Sequence, residues 1–117
     1  MSDFYFDQID PGKLKVDIIY ETPLVMAFYH TQPYFDHHIV IIPKLHISSL
    51  SEYPNTPDLN RDMQQSISFV TQKLQKRNGG CRDSSNVGSY KSTQHLHWYV
   101  YAGKRIRAQD GTVLIEK

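Results

Sequence analysis

Cysteine is nearly absent from this chain. Cys81 is the only one, so no internal disulfide can form, and a reducing compartment is the economical setting. Long apolar runs are missing too, and no window approaches the length of a membrane-spanning helix. The opening Met1-Ser2-Asp3-Phe4-Tyr5-Phe6-Asp7 is aromatic and acidic, without the basic start and apolar stretch of an export signal. A cytoplasmic protein with no membrane contact is therefore expected. Charge of one sign is also scarce. Thirteen Lys and Arg against twelve Asp and Glu leave +1, which argues against strong nucleic-acid binding but leaves room for a small phosphate-bearing ligand. The sequence has no internal repeat, no low-complexity linker and no Gly-rich dinucleotide turn. Its 117 residues are 39% hydrophobic and 21% charged, which is globular composition. One domain over residues 1–117 is expected, able to bury about two-thirds of its unfolded surface without a structural metal.

What is present reads as strands, a helix, a loop and a strand. Asp10-Pro11-Gly12 is a turn signal. Val16 to Tyr20 and Leu24 to Tyr29 read as two strands joined by a turn at Glu21-Thr22-Pro23. Pro33 places Thr31 to Asp36 in a loop. His38-Ile39-Val40-Ile41-Ile42-Pro43 has apolar residues at both alternating sets of positions, the pattern of a strand buried on both faces. His46 to Tyr53 is compatible with a short helix. Thr56-Pro57-Asp58 then opens a longer one, whose stripe is Leu59, Met63, Ile67, Val70 and Leu74 and whose stop is Asn78-Gly79-Gly80. Cys81 to Thr93 is a polar loop, Gln94 to Tyr101 a strand, and Thr112 to Ile115 a candidate edge strand after the turn at Asp110-Gly111. The order gives an α+β fold with a mostly antiparallel sheet.

Six histidines are many for this length, and two lie in Gln94-His95-Leu96-His97-Trp98-Tyr99-Val100. On a strand, His95, His97 and Tyr99 share one face, while Leu96, Trp98 and Val100 anchor the other. Three readings of that row stand open. The rings can be half-buried, hydrogen-bonded groups without chemistry. They can be two ligands of a Zn²⁺ or Cu²⁺ site, although no third strong ligand lies nearby in the sequence. Or one neutral imidazole can act as a nucleophile, with phosphorus its natural target near neutral pH. The preceding loop bears on the third reading: Asn86, Gly88, Ser89 and Ser92 offer donors suited to phosphate oxygens.

These residues resemble the histidine-triad (HIT) family, and most nearly its Hint-like branch. The family signature H-φ-H-φ-H-φ-φ reads here His95-Leu96-His97-Trp98-Tyr99-Val100-Tyr101. The resemblance extends through Ile18-Ile19-Tyr20-Glu21, Ala27-Phe28, Pro33 and His38-Ile39-Val40-Ile41-Ile42-Pro43-Lys44-Leu45-His46, and covers Asp17 to Gly103. Residues 104–117 form a tail beyond it. The resemblance implies a five-stranded antiparallel sheet with one long and one short helix, usually assembled as a homodimer. It implies a nucleotide-binding hydrolase acting on nucleoside phosphoramidates, with no cofactor. His97 matches the nucleophile, which would form a nucleotidyl-histidine intermediate at the α-phosphate. His95 matches the histidine whose backbone orients the nucleophile, and His38 a histidine packed behind the triad. Asn86, with Gly88 beside it, and Ser92 match contacts to the phosphate and leaving group.

The departures carry chemistry of their own. Tyr99 stands where the third histidine is expected; a phenol can donate a hydrogen bond but cannot act as an imidazolium. Family members with a polar residue there include nucleotidyl transferases, so a transferase and a catalytically weak nucleotide-binding protein are the alternative readings. His30 stands where Hint-like proteins carry an aspartate that grips both ribose hydroxyls. The loop between Asn86 and His95 is about two residues short, and Lys91 replaces a common glutamine, either as a phosphate charge or as a solvated side chain. His37 reads as a surface neighbour of His38, and His46 as a helix start or a ligand contact. Lys104, Arg105 and Arg107 read as a solvated face or, alternatively, as charges near phosphate. The paired N-terminal cysteines that bind zinc in some members are missing, and no metal is expected.

Overall fold

The computed structural model describes residues 15–91 and 93–114. The expected turn at Asp10-Pro11-Gly12, Ser92 and Ile115 lie outside them.

The doubly apolar segment becomes the centre of a sheet. Strand β1 (Ile18–Glu21) and strand β2 (Val25–Tyr29) form the expected hairpin. Its turn is held by the Thr22 hydroxyl oxygen, which accepts from the amides of Leu24 at 3.3 Å and Val25 at 3.0 Å. Strand β3 (Phe35–Pro43) follows. It starts three residues earlier than its apolar run, because Phe35 also pairs. The chain then enters helix α1 (Pro57–Asn78) and returns through β4 (Arg82–Ser85) and β5 (Trp98–Arg105). The sheet order is β1-β2-β3-β5-β4, with every neighbouring pair antiparallel.

Period-two alternation on β3 separates two clusters. Ile39 and Ile41 face α1 together with Val25, Ala27, Leu96 and Val100. Val40 and Ile42 face the other way with Met26, Phe28 and Tyr99. From the helix, Leu59, Met63, Val70 and Leu74 are buried against the first cluster and Ile67 packs at its border. Burying each such side chain contributes about 1.5–3 kcal/mol. Two polar residues, Asp62 and Ser66, are buried along the stripe, and Asp62 accepts the Leu24 amide at 3.2 Å, tying helix to hairpin. Gly79 ends the helix at φ 80, where a β-carbon would be strained, and its amide caps the Gln75 carbonyl.

Four sequence expectations change. The short helix is a single 3-10 turn, Leu50–Glu52. The polar loop contains strand β4, whose Arg-Asp-Ser-Ser sequence has no apolar signal and pairs through its backbone. Strand β5 begins at Trp98 rather than Gln94, because the Leu96 amide leaves the ladder to donate to the Ile47 carbonyl at 2.7 Å. The expected edge strand is one isolated bridge, Arg107 to Val113. Among the described residues, no helix is long and apolar enough to cross a membrane.

Candidate active site

Helix α1 covers one face of the sheet. The opposite face is open and holds a cleft of about 540 Å³. Its floor comes from three strands: Phe28 from β2, His38 and Val40 from β3, and Tyr99 and Tyr101 from β5. His30, which directly follows β2, and His97, which directly precedes β5, enter the same cleft, as does Asn86 after β4. Residues separated by almost 70 positions thus meet because β3 lies between β2 and β5.

His97 is held by its own short segment rather than by the strand ladder. Its Nδ1 lies 2.7 Å from the His95 carbonyl oxygen. A carbonyl only accepts, so Nδ1 carries the proton and Nε2 is the basic nitrogen of the neutral ring. Thr93 reinforces this arrangement. Its hydroxyl donates to the same carbonyl at 2.9 Å, which turns an oxygen lone pair toward His97 Nδ1 at 3.1 Å. Ser85 anchors the backbone of the same residue by donating to the His97 carbonyl at 2.7 Å.

His95 does not share this exposure. It is buried at 1% and its Nε2 donates to the Pro43 carbonyl at 2.7 Å. The side chain locks the segment onto the end of β3 while the backbone oxygen orients His97. The expected one-face row of His95, His97 and Tyr99 is therefore replaced by a buried ring, a cleft ring at the strand entrance and a strand tyrosine. The His97 and Tyr99 rings lie 5.9 Å apart at 24°, whereas those of His95 and His97 are perpendicular.

A second pair of imidazoles extends the floor. His30 and His38 lie 4.5 Å apart, centre to centre. Each accepts a backbone amide at Nδ1, His30 from Gln32 and His38 from Tyr34, both at 3.0 Å. Each neutral ring therefore carries its proton on Nε2. Burial, and then the neighbouring His30, push His38 down to about 3. Burial, and then the Arg107 guanidinium, lower His30. Tyr99 moves the other way: burial and then Tyr34 raise its phenol, so it stays protonated through neutral pH. Its ring is 5.3 Å from His38 and 6.1 Å from His30. The floor is consequently neutral, aromatic and rich in N–H and O–H groups.

The other expected site residues are placed apart. Lys91 donates to the Ser48 carbonyl and borders a small void behind the cleft with Asn86, His95 and His97. Its ammonium ties the loop to the segment after β3. Gly88 opens a 3-10 turn, Gly88–Tyr90, and is not among the cleft-lining residues, whereas Tyr90 is. His37 faces away from His38 along β3, and His46 is exposed, its ring 5.9 Å from His95. The basic trio is not one solvated face. Arg107 is half-buried and donates to the carbonyls of Pro33 and Gly111, both at 3.0 Å, while Arg105 lines the cleft and lies 5.4 Å over the Phe35 ring. Thr93, Tyr34, Tyr90, Ser84 and Gln109 were not singled out in the sequence. Only Thr93, two residues before His95, carries a local cue.

Among the described residues, no group of three or more His, Cys, Asp or Glu is placed to hold a metal ion. The metal reading of the His95–His97 pair therefore finds no third ligand among the described residues.

Comparison with known proteins agrees with this architecture. The profile of the HIT domain matches residues 12–106. A HIT-like protein of Helicobacter pylori is 28% identical over 102 residues, covering 86% of this chain and 96% of its own. One from Buchnera aphidicola is 27% identical over 107 residues, covering 86% and 93%. Among solved structures, a histidine triad protein from Clostridium difficile superposes with a TM-score of 0.65 at 30% identity, covering 92% of this chain and 98% of that one. A HIT family hydrolase from Clostridium thermocellum gives 0.67 at 27% identity, covering 85% and 89%.

Proposed function

Because the chain belongs to the HIT family, we propose that it is a nucleotide-binding hydrolase of the phosphoramidase type, with His97 as its covalent nucleophile. The observation that supports this most is the His97 Nδ1 bond to the His95 carbonyl, which gives Nε2 the lone pair in a cleft able to hold a nucleotide. In the first step Nε2 attacks the α-phosphorus of a nucleoside phosphoramidate. The N–P bond to His97 forms, the P–N bond to the leaving amine breaks, and the amine departs with a proton from Tyr99 or water. The ring then bears positive charge, which the His95 carbonyl stabilises through Nδ1–H. In the second step water attacks phosphorus, the N–P bond to His97 breaks, and nucleoside monophosphate leaves; the proton lost by that water restores Tyr99, or passes to solvent where water had protonated the amine. Asn86 and Ser84 at the cleft edge, with Tyr99 on its floor, are suited to donate to the phosphoryl oxygens.

Tyr99 also favours a second reading. A phenol whose proton is held by burial is a weak relay for activating water, and a nucleotidyl transferase would pass the nucleotide to a different acceptor. In either case the active unit is a homodimer, with β4 at the sheet edge offering its outer backbone groups to a second copy.

The test is hydrolysis of a fluorogenic adenosine phosphoramidate by the wild type and His97→Ala, with intact-mass analysis of quenched reactions. Turnover should fall about a thousandfold or more in the variant, and a nucleotidyl adduct should appear only in the wild type. Equal turnover in both proteins would remove His97 from the chemistry. Turnover that requires an added nucleophile would select the transferase.

A further inference from the structure

The cleft has two chemically different ends. His97, Asn86 and Thr93 mark one, where β5 begins and β4 ends. The other is built where Phe35 pairs with Arg105 across β3 and β5, and where the His30 amide meets the His38 carbonyl. Thr31, Gln32, Arg105 and Gln109 line this second end. Every described cleft-lining residue there is neutral or basic, and no described residue lining the cleft is Asp or Glu. The Arg105 guanidinium forms no ion pair among the described residues; its Nε donates to the Arg107 carbonyl at 2.6 Å. Arg107 stands close enough to act electrostatically on His30, and its Nε and Nη1 donate to backbone carbonyls. The nearest acids on these elements are engaged elsewhere, Asp36 with the Lys104 amide and Asp110 with the Thr112 amide.

A sugar hydroxyl alone makes poor use of such an end. A hydroxyl pair is best gripped by a carboxylate, whereas His30 presents Nε2–H, Gln32 and Gln109 present amides, and Arg105 presents a charged fork. An anion with several acceptor oxygens matches them all. Scale agrees as well. The rings of His97 and Tyr99, then Tyr99 and His30, are separated by 5.9 and 6.1 Å. That spacing accommodates one nucleoside between a phosphorus at His97 and a second phosphate at His30.

We infer that the cleft selects nucleotides carrying a second phosphate on the sugar, seated between His30 and Arg105, with the reacting phosphate at His97. This rests on the nucleotide-binding reading above and names the substrate class within it.

Calorimetry on the full chain tests it with adenosine 5′-monophosphate, adenosine 3′,5′-bisphosphate, adenosine 2′,5′-bisphosphate and adenosine 5′-diphosphate. At least one sugar bisphosphate should bind about tenfold or more tightly than the monophosphate, with the gap shrinking in added salt. The 5′-diphosphate, whose extra phosphate projects toward the leaving-group side, should show no gain that depends on Arg105. In Arg105→Ala the bisphosphate-to-monophosphate ratio should fall toward one, and in Arg105→Glu it should invert. Arg105 is exposed, so both variants should fold. His30→Asp should likewise reject the bisphosphates. Monophosphate binding with no bisphosphate gain, or a gain that survives Arg105→Glu, would overturn the second-phosphate site and leave the nucleotide reading intact. If no adenine nucleotide binds, both are overturned together.

Discussion

His38 should make this protein acid-sensitive by a calculable amount. The ring is 7% exposed, accepts the Tyr34 amide at Nδ1, and is pushed from 6.5 down to about 3 by burial and then by His30. Protonating it would destroy that acceptor and place charge among Phe35, Tyr99 and Tyr101. The unfolded chain binds a proton at this position below about pH 6.5 and the folded chain does not, so stability falls as pH drops through that value. Each pH unit below it costs about 1.4 kcal/mol until the folded ring itself titrates near 3. Between pH 8 and pH 5 the loss is about 2 kcal/mol, and lowered His30 adds to it with the same sign. The assay is urea unfolding followed by Trp98 fluorescence at both pH values, for the wild type and His38→Asn. The asparagine oxygen can still accept the Tyr34 amide but does not titrate. The wild-type midpoint should drop by roughly 1 M more than that of the variant. Equal drops in the two proteins would refute the assignment of His38 as a buried neutral ring.

Other outcomes follow from the same geometry. Tyr99→Phe should keep the fold and lose about tenfold in kcat/KM, the worth of one hydrogen bond at the reacting group; unchanged kinetics with the fluorogenic phosphoramidate would remove Tyr99 from that role. Leu74→Ala, at 1% exposure on the sheet-facing side of α1, should cost about 2–5 kcal/mol in urea unfolding. Gly103→Ala should destabilise by about 1–3 kcal/mol, since the residue sits at φ +87 and a β-carbon would come within 2.8 Å of Asp36 Cβ. A wild-type thermal midpoint in that variant would show that the backbone at Gly103 and Asp36 relaxes freely. Sedimentation should give a dimer, and Ser84→Pro, on the β4 edge, should shift it toward monomer.

Much of the fold is written locally. β3 has apolar residues on both alternating sets, so it had to lie in the middle of a sheet with side chains buried on both faces, and it does, although only one face is covered by a helix. Helix α1 carries its start in Thr56-Pro57-Asp58, its buried stripe in Leu59 to Leu74 and its stop in Gly79. The elements that escaped are those whose local signal is weak or opposed. β4 is polar throughout and becomes a strand only because β5 offers it a ladder. The His95–His97 segment alternates as a strand should, yet it leaves the ladder because the Ile47 and Pro43 carbonyls capture the Leu96 amide and the His95 ring.

The sequence by itself determined the nucleophile candidate, the family pattern and the antiparallel α+β architecture, because each depends on short spacings and residue types. Only the tertiary structure decided the tautomer of His97, which depends on where a carbonyl oxygen sits relative to the ring. Only it brought His30, Tyr99 and Arg105 into one cleft, since their distance in space is set by strand order and register. It also moved Arg107 from a solvated face to a backbone clamp, because the carbonyls of Pro33 and Gly111 converge on it from two loops. Periodicity along a chain says which face a side chain takes; the groups it meets there are fixed by segments far away in sequence.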